Sequence, residues 1–207
     1  MSLRVVAVTV TQGRDPIDAL EASRGERTRA LILDASRQLF LQRGYAGTPI
    51  NAITEACGIS RAGFYTYFRD KQEVFAVLGE NAYRDVMAVL SRLEALARPF
   101  DLSELRAWIG EYFEFMDRHG AFVLAAWHSA PDDEAFRRSR NRTVARSSFK
   151  LGQAIVGPGE HSPEVVGVAA LGMLDRAWHA VQMQAVPVEK DEAIAALADM
   201  ISTLAHH

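Results

Sequence analysis

The chain has 207 residues, 49% of them hydrophobic and 24% charged, the balance of a water-soluble globular protein of one or two domains. No uninterrupted apolar run nears the roughly 18 residues of a membrane span, and the opening MSLRVVAVTVTQGRD lacks the apolar core and A-x-A site of a signal peptide. The single cysteine, Cys57, excludes an internal disulfide and points to a reducing, cytoplasmic setting.

The net charge of -3 is unevenly spread. Residues 24–71 carry eight Lys/Arg against four Asp/Glu, whereas residues 72–207 carry 13 against 19. A basic module on an acidic body suits a polyanionic partner for the module alone.

Residues 1–23 read as a tail, because Gly13 and Pro16 argue against a long regular element. Val5, Val6, Val8 and Val10 alternate like a short strand, but no second strand-like run offers a partner. From Arg27 to Arg43 the pattern is helical, with Leu31, Ala35 and Leu39 on one apolar face. Gly44 ends that helix as a left-handed cap. Thr48 and Pro49 open a second helix, Thr48 as N-cap and Pro49 at the first helical position. Gly58 breaks it, and Ser60 caps a third short helix over 61–67. Two short helices joined by a tight glycine-containing turn are the signature of a helix-turn-helix.

The rest reads as all-helical. A long helix runs from Lys71 to about Ala97, and helices follow at about 102–118, 121–129, 132–156, 163–185 and 189–205. Pro99, Pro131, the GPGEHSP loop and Pro187 punctuate them.

The run GISRAGFYTYFRDK, residues 58–71, places four aromatics within five positions. Phe64 and Phe68 share a helical face and join Ile53 and Ile59 in a small core. Tyr65 and Tyr67 lie off that face, beside Arg61, Ala62, Gly63 and Thr66. Small residues at 62 and 63 admit a close backbone approach. Tyrosine hydroxyls and the Lys71 ammonium are suitable phosphate donors, and an arginine such as Arg61 can pair bidentately with a guanine edge.

This arrangement resembles the tetracycline-repressor (TetR) family of bacterial transcription regulators. The resemblance rests on Gly44-Tyr45, Thr48 and Ile53, then ACGISRAGFYTYFRDK ending at Lys71. Departures are few: Cys57 stands where alanine is usual, Thr54 where alanine often follows the isoleucine, and Tyr67 where histidine is more frequent. The resemblance implies a DNA-reading head over 24–71, with Arg61, Ala62 and Gly63 at base edges and Tyr65, Tyr67 and Lys71 on phosphates. Thr48, Asn51 and Ser60 belong to the same expected DNA-binding set. It also implies a body over 72–207 that binds a small effector and dimerises, and a double-stranded DNA operator as partner.

The body offers residues for both tasks. Trp108, Tyr112 and Phe115 follow a helical stripe, and Phe122 and Trp127 add aromatic bulk. Such residues suit an apolar or aromatic effector, with His128, Asp175 or His179 fixing its orientation. The last two helices are the expected dimer contact, through Leu171, Leu174 and Trp178 on one and Ile194, Leu197, Ile201 and Leu204 on the other. The same stripes also suit packing within a monomer.

Enzymatic readings are weak. The histidines lack a metal spacing such as H-E-x-x-H, GPGEHSP lacks the Lys-Ser/Thr of a phosphate loop, and no cofactor or metal is expected. Two functions remain compatible with the residues. One is a ligand-responsive, dimeric repressor; the other is a helical ligand-binding or interaction protein that has lost DNA binding. Salt-dependent operator binding separates them.

Overall fold

The structure is a computed structural model, and it describes residues 16–128, 134–156, 161–184 and 187–205, with side chains from residue 24 onward except that of 128. The described residues form eight helices and no strand: α1 Pro16–Arg43, α2 Ile50–Cys57, α3 Arg61–Tyr67, α4 Lys71–Glu94, α5 Leu102–His128, α6 Glu134–Ile155, α7 Pro163–Met183 and α8 Lys190–Ala205. The alternating valines of the expected tail, and Pro131, lie outside the described residues.

Helix α1 starts eleven residues before the expected Arg27. Pro16 does not interrupt it but opens it, since proline's fixed φ and missing N–H are tolerated in the first turn. Its buried face is carried by Ile32, Leu33, Ser36, Leu39 and Phe40, while Leu31, expected in the apolar stripe, is exposed. Gly44 closes the helix at φ 70°, and its N–H bonds the Phe40 carbonyl at 3.0 Å.

The turn into α2 departs from expectation. Thr48 is wholly buried, and its hydroxyl donates to the carbonyls of Gly44 at 2.8 Å and Leu39 at 3.2 Å. It therefore ties the turn back to α1 instead of capping α2, whose N-cap position is Pro49. Gly58, at φ 64°, closes α2 in the left-handed conformation that favours glycine. Ser60 caps α3 as expected, its hydroxyl accepting the Gly63 N–H at 3.0 Å. Asp70 caps α4 by accepting the Glu73 N–H at 2.8 Å, and the Glu73 carboxylate accepts the Arg69 N–H, one residue before the cap, at 2.7 Å.

Helices α1–α3 form one end, and α4 runs from them into the body beside α5 and α6. Helix α5 is one continuous helix where two were expected. Gly120 does not break it; a β-carbon there would overlap the Trp178 ring, so glycine lets α7 approach. The Trp178 indole then donates to Asp117 on α5 at 2.8 Å. Helices α6 and α7 pack antiparallel with their backbones almost touching: β-carbons at Gly152 and Gly167 would overlap the carbonyls of Pro163 and Ser148. One apolar core runs from Ile32 to Ile201 through both ends of the molecule.

Candidate nucleic-acid interface and internal cavity

Helix α3 has two unlike faces. Phe64 and Phe68 are buried with Ile53, as expected from their spacing. On the opposite face Arg61, Ala62, Tyr65 and Thr66 are exposed, Tyr65 at 45%. Arg61 is held there in a fixed pose. Its guanidinium donates to the Asn51 carboxamide oxygen at 2.7 Å and to the Tyr65 hydroxyl at 3.0 Å. Asn51, Arg61 and Tyr65 thus form one polar network bridging α2 and α3 at the surface. Tyr67 is half-buried, with its ring near Gly25 of α1.

Gly63 stands where a β-carbon would come 3.3 Å from the Ser60 hydroxyl, so the glycine keeps the cap uncrowded. Of the expected nucleic-acid set, Asn51, Ser60, Arg61, Ala62, Gly63 and Tyr65 are brought onto one surface around the start of α3. Thr48 is not among them, because its buried hydroxyl is used within the turn.

Lys71 also differs from a free surface cation. Its ammonium donates to the carbonyls of Tyr45 at 2.5 Å and Thr48 at 2.8 Å, and lies 4.2 Å from the centre of the Tyr45 ring. Partial burial there lowers its pKa below the ordinary lysine value. Two of its three N–H donors are used, and α4 is clamped to the α1–α2 turn.

The body holds a cavity of about 410 Å³, partly open to the surface and within the size range of small-molecule sites. Gly79, Ala82, Tyr83 and Val86 of α4 form one wall, and α5, α6 and α7 supply the others. Of the expected effector residues, Tyr112, Phe115, Phe122, Trp127 and Asp175 line it. Trp108 does not; it is buried beside the cavity, its indole donating to the Val89 carbonyl at 2.9 Å. His179 lines a different crevice, between α1, α5 and α7, and the His128 side chain lies outside the described residues.

The cavity wall is apolar except at a few points. The Tyr112 hydroxyl donates to Asp175 at 2.7 Å. Burial raises the pKa of both groups, and the neighbouring Asp175 charge adds to the effect on Tyr112. Ser147, Ser148, Thr143 and Arg140 of α6 also line it, and none of these was singled out in the sequence. The available signal was two adjacent serines preceding Leu151 and Ile155 on the buried side of a helix.

Four of the seven residues expected at the dimer contact pack within their own chain. Leu174 and Ile201 are fully enclosed by their own chain, Leu197 and Trp178 nearly so, while Leu171, Ile194 and Leu204 are half-buried. Leu171 lines the cavity. The outward faces of α7 and α8 carry other apolar side chains, Val165 and Val168 on the first and Met200 on the second.

Among the described residues no three His, Cys, Asp or Glu side chains come together to hold a metal, and no helix is long and apolar enough to cross a membrane.

The sequence profile of the bacterial regulatory proteins of the tetR family matches residues 32–78, from the middle of α1 through the first two turns of α4. The chain is 28% identical over 130 residues to the HTH-type transcriptional repressor AcnR of Corynebacterium glutamicum, spanning 59% of this chain and 69% of that protein. It is 36% identical over 55 residues to the HTH-type transcriptional regulator AcrR of Shigella flexneri, spanning 27% of this chain and 26% of that protein. The fold is similar to NalD, the secondary repressor of the MexAB-OprM multidrug efflux pump in Pseudomonas aeruginosa, with a TM-score of 0.63 at 17% identity over 86% of this chain and 95% of that one. It is also similar to SmeT in its triclosan complex, with a TM-score of 0.64 at 20% identity over 86% and 90% of the two chains. Residues 32–78 thus carry the sequence and the helix-turn-helix of the tetR family of bacterial regulatory proteins, and the chain as a whole is similar to transcription regulators of that family.

Proposed function

We propose that this regulator is a cytoplasmic repressor that binds a palindromic operator as a homodimer and is released by a small effector in the α4–α7 cavity. The observation that carries this reading is the double role of α4. Its residues Gly79, Ala82, Tyr83 and Val86 wall the cavity, and its first residue, Lys71, is bonded to the turn between α1 and α2. A ligand that prefers a displaced α4 must therefore also prefer a displaced head, which is the condition for coupling two sites.

At the operator, Arg61, Ala62 and Gly63 meet base edges in the major groove, and Tyr65, Tyr67, Asn51 and Ser60 serve the neighbouring backbone. The two heads of a dimer enter successive grooves about 34–36 Å apart, or at a related spacing where the DNA is deformed. The dimer forms through the outward faces of α7 and α8, where Val165, Val168 and Met200 are exposed. The SmeT–triclosan complex supports a ligand site in a body of this fold.

The test is footprinting and anisotropy titration on the DNA upstream of the protein's own gene across a range of salt concentrations. Paired half-sites and a steep salt dependence are expected. Protection of one asymmetric half-site would overturn the dimeric operator. Binding with no salt dependence or sequence preference would leave a ligand-binding protein without a DNA function.

A further inference from the structure

We propose that the cavity takes a lipophilic cation, a compact apolar or aromatic body bearing one ammonium group directed at Asp175. This inference rests on the reading of the cavity as the effector site and names the chemistry of its ligand.

The argument begins with an uncompensated charge. Asp175 is a carboxylate on the wall of a cavity built mostly from Ala82, Val86, Phe115, Phe122 and similar apolar side chains. Its hydrogen-bond partner is the neutral Tyr112 hydroxyl, at 2.7 Å, and no cation among the described residues reaches it. A half-buried carboxylate without a counter-charge in an apolar wall is costly, and a ligand that brings a positive charge reduces that cost.

Among the described lining residues Arg140 is the one cation, and it makes no ion pair with Asp175, although its buried Nε has no protein hydrogen-bond partner. Its guanidinium donates to the Ala126 carbonyl at 3.0 Å and lies 5.3 Å from the centre of the Trp127 ring. The bond anchors it to the end of α5 instead of to Asp175.

The remaining polar groups suit a ligand that carries a polar group, and the aromatic lining decides the sign of its charge. The hydroxyls of Ser147 and Ser148 line the same cavity, are 5% and 1% exposed, and have no hydrogen-bond partner. Buried hydroxyls rarely go unpaired, so these two are available to bond a polar group of the ligand. The rings of Tyr83, Phe115, Phe122 and Trp127 offer π faces, which attract a cation and repel an anion. A carboxylate ligand would meet Asp175 at close range in a poorly solvated space. A neutral ligand would leave Asp175 without a counter-charge.

The experiment uses three probes of one shape, 4-phenylbutylammonium, 4-phenylbutanol and 4-phenylbutyrate, titrated calorimetrically into the full-length protein. The ammonium is expected to bind at least about tenfold tighter than the alcohol, and the butyrate weakest. In Asp175→Asn, which keeps the shape and removes the charge, the ammonium and the alcohol should bind alike, with alcohol binding reporting an intact cavity. Tyr112→Phe, which leaves the carboxylate, should keep the preference for the ammonium. If Asp175→Asn does not fold, the order of the three probes on the unaltered protein still decides the matter. An alcohol or butyrate that binds as tightly as the ammonium overturns the inference, as does binding of none of them up to ~10 mM.

The same probes are then added to the operator complex. Tight ammonium binding that leaves operator affinity unchanged would uphold the inference and overturn the effector reading. Operator release by the alcohol or butyrate, with no advantage for the ammonium, would do the reverse.

Discussion

The Lys71 ammonium donates to the main-chain carbonyl of Tyr45 at 2.5 Å and lies 4.2 Å from the centre of the same residue's ring. One side chain thus fastens the start of α4 to the turn that precedes α2. Lys71→Ala should cost about 1–3 kcal/mol of stability, because two charge-assisted hydrogen bonds are lost and two carbonyls are left without their donor. Operator affinity should fall equally for all sequences. The slope of log affinity against log salt should stay nearly constant, since the cation is committed to the turn; a slope smaller by about one would reassign Lys71 to a phosphate.

Arg61 is held by Asn51 and Tyr65 before any partner arrives. Arg61→Ala should cost about 1–3 kcal/mol in operator binding and relax preference at one base position. Asn51→Ala should retain the arginine but loosen its pose, giving a smaller loss of the same discrimination. Anisotropy titrations against single-base operator variants measure both, and unchanged discrimination in Arg61→Ala would remove it from base reading.

The two faces of the last helices separate cleanly. Val165 is 63% exposed and Met200 52%, so Val165→Glu and Met200→Glu should fold yet sediment as monomers. Leu197→Glu should instead lower the melting temperature sharply, because a charge is forced into the core of one chain without a partner. Sedimentation velocity and thermal melts on the same samples distinguish the outcomes.

Two glycines predict opposite effects of one methyl group. Gly110 sits inside α5 with open space where a β-carbon would lie, so Gly110→Ala should stabilise by about 0.5–1 kcal/mol through the backbone alone. Gly167→Ala would drive its methyl into the Ser148 carbonyl, and the α6–α7 contact should weaken by about 1–3 kcal/mol. Chemical denaturation of the two variants tests this.

His119 is buried between α4 and α5 with its Nε2 2.8 Å from Asp85. Burial holds its pKa below the ordinary histidine value, outweighing the pull of Asp85, while Arg37 and Arg118 act with the burial. The unfolded chain therefore takes up the proton first as pH falls. The stability difference is fully present above about pH 6.5 and is lost as pH drops from there through the lower folded value. His119→Gln should flatten the stability profile in that window, as read by denaturant melts at several pH values.

Short-range signals were the legible part of the fold. Gly44, Gly58 and Ser60 each act through their own backbone or hydroxyl within a few residues, and each does what its chemistry predicts. Apart from the start of α1, where proline's own first-turn chemistry decided, the misreadings depended on neighbours farther along the chain. A break was expected between 118 and 121, whereas the helix continues through Gly120, whose packing against the Trp178 ring 58 positions away no local pattern shows. Thr48 looked like a cap because nothing local shows its hydroxyl turning back to Leu39. The α8 stripe was real, but periodicity does not say whether a helix buries its face against its own chain or a second copy. In the cavity, aromatic bulk pointed to Tyr112, Phe115 and Phe122, whereas Trp108 belongs to the surrounding core. The serines of α6 escaped notice because their importance comes from lacking partners, which only the packed structure reveals.

Phe75 stands within 5.4 Å of Phe40 and 5.0 Å of Tyr45 on one side, and within 4.8 Å of Phe122 and 5.1 Å of Phe136 on the other, measured between ring centres. Its ring closes the head's core and the body's core at once. For anyone building a chimaera, a splice at Lys71 would leave the transplanted head with a bare aromatic wall and the recipient with a socket of foreign shape. A graft that carries the first two turns of α4, through Leu78, moves the ring with the head; its sockets at 122 and 136 must then be matched to it.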